Sequence, residues 1–158
     1  MIDMRKLSFG GPAAIVASMA LIVGLDAATA TKTAIVTSLL IVGVADNLTD
    51  SLSVHIYQEA ERLEQRQALR TTAANFVTRL AVSLSFVGLF LLARGRAGLL
   101  LCVGWGFALL STLTHRLAKL RGVSPAREIA IHSAVAVVVI GLSKLIGGAL
   151  PILVAALH

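Results

Sequence analysis

The sequence predicts an all-α integral membrane protein. It reads as a five-transmembrane-helix bundle, N-in/C-out, with the second helix extended into the cytoplasm. Three observations carry this. Of the 158 residues, 57% are hydrophobic and 14% charged, whereas soluble domains average about 25% charged residues. The apolar residues fall in long runs, and the mean hydropathy is +0.88. The basic residues between the runs are biased to one side: with the N-terminus in the cytoplasm, Arg5, Lys6, Arg62, Arg66, Arg70, Arg116, Lys119, Arg121 and Arg127 lie inside. Lys32, Arg94 and Arg96 lie outside, with Lys144 close to that side, which satisfies the positive-inside rule. A chain of this length forms one transmembrane domain, 1–158. The net charge of +6 is explained by this orientation, and no nucleic-acid partner is expected.

The first span covers about 9–28. Gly10, Gly11 and Pro12 suit a helix start, because proline fits the first turn. Ala28-Thr-Ala30 resembles a signal-cleavage site, but the segment is taken as a span. The second span, about 34–56, has no Gly or Pro after it until past Arg70. Its helix is therefore expected to project into water as an amphipathic extension. The third span, about 72–93, carries Asn75 and Arg79. Arg79 is expected either to snorkel to the interface or to reach an aspartate of the second span. The fourth, about 98–115, contains Gly104-Trp105-Gly106, read as a close helix crossing. The fifth covers about 128–147, where Gly147-Gly148 and Pro151 are expected to interrupt the helix. Cys102 is the only cysteine, so an intrachain disulfide is excluded.

The second span is the informative one. Asp46 and Asp50 are four residues apart and share one helical face, which Ser53 and Tyr57 extend. Asn47, Ser51 and His55 fall on the neighbouring stripe. A carboxylate near a bilayer centre costs about 2.5–3.5 kcal/mol on insertion scales. Such residues face a bundle interior or a water-filled path, and mark ion pathways unless they are structurally paired. Asp46, Asp50, Asn47, Ser53 and Tyr57 are thus the candidate ion pathway, with Asp46 and Asp50 the metal ligands. Arg79 is the candidate ion-pair partner. His55, Glu59, His115 and His132 gather at the cytoplasmic face, where imidazole and carboxylate suit iron, manganese or zinc. They form a candidate loading site, although none has the close spacing of a dedicated metal centre. No HExxH, GxSxG, P-loop or Rossmann pattern occurs, so no enzyme is expected.

The run Phe9-Gly-Gly-Pro-Ala-Ala-Ile-Val-Ala-Ser-Met-Ala-Leu-Ile-Val-Gly-Leu25 is similar to the first helix of the vacuolar iron transporter family. Asp50-Ser-Leu-Ser-Val-His-Ile-Tyr-Gln-Glu59 resembles that family's small-Ala-Leu-Ser-Met-x-x-Gly-Glu-Tyr segment. In this register Asp46 falls where the family has an intramembrane glutamate, while Val54 replaces its metal-binding methionine. Gly11 or Pro12 stands in the region of its first-helix aspartate. The third helix lacks its proline-rich pattern, and only Glu59 to Thr71 occupies the place of its cytoplasmic metal-binding domain. The resemblance implies a homodimer that carries Fe²⁺ or Mn²⁺, coupled to protons, between the first and second helices of two protomers. The divalent ion would be cargo, with no tightly bound cofactor. The alternative is a membrane scaffold or partner subunit that transports nothing. An Asp46–Arg79 ion pair discriminates between the two, because a neutralised carboxylate is a poor cation site.

Overall fold

A computed structural model describes residues 10–60, 65–93 and 95–157. Five helices and no strand occur among the described residues. They are α1 (Gly11–Ala27), α2 (Lys32–Ala60), α3 (Gln65–Leu92), α4 (Arg96–Arg121) and α5 (Pro125–Ala156). The last four are long and apolar enough to cross a membrane. α1, with 17 residues, is about 25 Å long at 1.5 Å per residue.

α1 is the bundle's centre. It is apolar all round, the pattern of a helix that buries every face, and it packs on each of the other four helices. Ile15, Met19 and Ile22 of α1 meet Leu39 of α2, Phe86 of α3, Leu110 of α4 and Ala136 of α5 in one core. Small residues allow the close approaches. A Cβ added at Gly147 would overlap the Gly24 carbonyl, and one at Gly106 would overlap the Met19 side chain. α1 therefore crosses α5 nearly backbone to backbone, while the Met19 side chain of α1 packs into the space that Gly106 leaves on α4, the close approach that small residues permit.

Local signals start and stop the helices. Thr31 Oγ1 accepts the Ala34 N–H at 3.2 Å, an N-cap for α2. Gly122 takes the left-handed conformation at the end of α4, where the Val123 N–H reaches the Ala118 carbonyl at 3.0 Å. Pro125 opens α5 at its first turn.

The second span does not continue to Arg70 as one helix. Residues 61–64 lie outside the described residues, and Gln65–Arg70 open α3 instead. α2 and α3 form an antiparallel pair: the Lys32 ammonium donates to the carbonyls of Leu91 (2.8 Å) and Ala93 (2.9 Å). The absence of Gly and Pro hid the reversal because charged residues of good helix propensity fill both arms. A second correction concerns α5, which runs through Pro151 to Ala156 rather than ending near 147. Proline removes one backbone bond.

Candidate functional site

Asp46 is the central residue of α2 and Arg79 lies at the midpoint of α3, so the antiparallel pairing brings them together halfway along the bundle. Arg79 does not snorkel: its side chain is 1% exposed. Each of its nitrogens has an acceptor. Nη2 donates to Asp46 Oδ2 at 2.6 Å, Nε to Asn47 Oδ1 at 2.8 Å, and Nη1 to the Gly10 carbonyl at 3.2 Å. Nη1 also pairs with Asp50 Oδ2. The planar fork of arginine suits such multidentate contacts, which a lysine point charge would not reproduce.

The three charged groups sum to one net negative charge. The carboxylates are not enclosed as Arg79 is: Asp46 is 48% and Asp50 44% exposed. They flank the contact with α3 and look outward. Ser53 and Tyr57 continue this outer stripe. Ser53 Oγ donates to the Thr49 carbonyl at 3.0 Å, and Tyr57 is exposed. Asn47, on the neighbouring stripe, turns inward, fully buried against Arg79. The predicted pathway residues therefore split into an outer row (Asp46, Asp50, Ser53, Tyr57) and an inner anchor (Asn47).

The histidines expected to form the loading site do not gather in one metal-holding group among the described residues. His55 is half-buried on α2, His115 is exposed on α4, and His132 lies across from Thr114, with Nδ1 and Oγ1 3.4 Å apart. The Glu59 side chain lies outside the described residues. Among the described residues no three His, Cys, Asp or Glu side chains form a metal-holding group. His132 instead lines an open cleft of about 620 Å³ between α4 and α5, together with Pro12, Thr114, Arg121 and Glu128. There Arg121 Nη1 and Glu128 Oε2 are 3.6 Å apart.

Two contributors to the charged centre were missed. The Gly10 carbonyl acts through the backbone, which no residue pattern announces. Asn75 lies beside Gly10, where a Cβ would overlap its Oδ1 and crowd Arg79 Cδ. The polar period Thr71, Asn75, Arg79, Ser83 on α3 was the available signal: four residues apart, they make one buried stripe. The chain matches no family model, no curated protein and no solved structure.

Proposed function

We propose that this protein is a multi-pass membrane scaffold or partner subunit, N-in/C-out, whose central charges hold helices together rather than carry a divalent cation. The observation behind it is the Arg79 clamp: one fully buried guanidinium engages both carboxylates proposed as metal ligands. A cation entering there would have to displace Arg79, leaving that guanidinium buried and unpaired. Breaking a buried pair in that way costs about 3–5 kcal/mol.

The outer row supports a partner. Charged groups within a membrane face protein or water, not lipid, so half-exposed Asp46 and Asp50 need a cover. A second copy of the chain, laid along α2, would supply one.

Divalent-cation transport is the second reading, favoured by the net negative charge that remains after Arg79 is counted. Uptake of Mn²⁺ and Fe²⁺ into proteoliposomes separates the two. The scaffold reading predicts wild-type flux no greater than that of empty liposomes. A wild-type flux lost in both Asp46→Asn and Asp50→Asn would overturn it and install the transporter.

A further inference from the structure

Inward of the carboxylates, the α2–α3 contact is polar along half its length. On α2, Asn47, Ser51 and Gln58 lie on one face; on α3, Thr72 and Asn75 lie opposite, with Arg79 at the inner end. Asn47, Ser51, Gln58 and Asn75 are each more than nine-tenths buried. Five of their atoms have no hydrogen-bond partner in the protein: Asn47 Nδ2, Ser51 Oγ, Gln58 Oε1, Thr72 Oγ1 and Asn75 Nδ2. Buried polar atoms are rarely left so, and each orphan costs about 1–3 kcal/mol. Five in one seam call for a hydrogen-bonding occupant.

The other half of the same contact is dry. Beyond Gly43 and Ser83, which meet closely, the helices face each other through Ile35, Leu39, Phe86 and Phe90, all buried. The polar half leads instead toward the ends of α2 and α3 where Arg66 and Arg70 are exposed. Beside its inner end, on the α1 side, a void of about 10 Å³ is lined by Asp46, Asn47, Gly43 and Ser83 together with Ala14, Ser18 and Leu21, room for about one water.

We propose that the α2–α3 seam is a one-sided aqueous crevice. Water enters from the Gln58 end, bridges Ser51, Thr72 and Asn75, and stops at Arg79 and Asn47, where Leu39 and Phe86 seal the path. Water fits because the orphans mix donors (the two amide nitrogens) and an acceptor (Gln58 Oε1) with hydroxyls that serve as either, and water matches both roles. The crevice rests on the membrane placement proposed above, and on nothing else in that proposal.

Cysteine accessibility tests it. In a Cys102→Ser background, Ser51→Cys and Thr72→Cys are exposed in oriented membrane vesicles to a small, membrane-impermeant cationic methanethiosulfonate. Leu39→Cys reports the seal, and Leu142→Cys the outer face of α5. Both crevice thiols are expected to react at least about tenfold faster than Leu39→Cys, since only a hydrated thiol ionises. They should do so from the cytoplasmic side alone. Equal rates at all three positions, or reaction from both sides, would overturn the crevice. Should Ser51→Cys not fold, Thr72→Cys, on the opposite wall, decides by the same criterion. Fast labelling of Leu142→Cys would instead overturn the membrane placement, and the one-sidedness with it.

Discussion

Arg79 and its two aspartates differ most in exposure, and the difference decides what each substitution does. The guanidinium is buried and the carboxylates are half-exposed, so losing one carboxylate leaves a neutral pair with the other. Asn47→Leu removes the Nε acceptor while keeping the bulk. It should lower stability by about 1.5–3 kcal/mol in a detergent thermal melt, the cost of a lost bond to a charged group. Glycines make a second residue-scale contrast. Gly147→Ala drives a Cβ into the Gly24 backbone, which cannot yield, whereas Gly148 has open space around it. The first should cost about 2 kcal/mol or more in the same melt, as overpacking does. Gly148→Ala should be neutral or stabilise by up to about 1 kcal/mol through helix propensity. Asp46 and Asp50 could be picked from the sequence because acids in apolar helices are rare. That Asn47 lies on the neighbouring stripe follows from the helical period; that this stripe is the one buried against Arg79 could not be picked, since it depends on the angle at which α3 docks.

At the scale of elements, the helices were legible where apolar runs end in breakers, as at Gly122 and Pro125. They were illegible where punctuation misled. Pro151 looked like a stop because its backbone cost is local, while the benefit of continuing belongs to every later amide. Pro151→Ala should therefore leave the helical circular dichroism unchanged and stabilise slightly; a gain of helix would mean that Pro151 does end α5. The α2–α3 reversal carries charged helix formers on both arms, so no local signal marked it. Lys32 fixes the far end of that hairpin by capping the final carbonyls of α3. Being exposed, it contributes modestly. Lys32→Met should cost about 1 kcal/mol and show as faster hydrogen exchange in the last turn of α3.

At the scale of the molecule, an asymmetry of faces organises the account. α1 is enclosed by the other four helices, while α5 presents Leu142, Leu145 and Ile146 outward, a surface suited to lipid. On α2 the carboxylates, a hydroxyl and a tyrosine form one exposed polar row beside the α3 contact, a strip suited to protein, while exposed Ile41, Leu48 and Leu52 lie on the face next to it. Ser53→Cys in a Cys102→Ser background should form an intermolecular disulfide on mild oxidation in membranes, and Leu145→Cys should not. Crosslinking at Leu145 alone would place the partner on α5 and remove the role given to the α2 row.

The central claim is that Arg79 and the two aspartates act as one unit, and a mutant cycle read by thermal unfolding tests it most directly. Arg79→Met alone should cost about 3–5 kcal/mol, because it leaves two like charges four residues apart around a buried apolar side chain. Asp46→Asn and Asp50→Asn should each cost little singly and far more together, since only the pair strands Arg79. Adding both to Arg79→Met should cost clearly less than the sum of the Arg79→Met and double-Asn losses, a coupling of about 3 kcal/mol or more, at the top of the range for residues in contact. Losses that simply add across the set, within about 0.5 kcal/mol, would contradict the clamp and return the aspartates to the role of an open cation site.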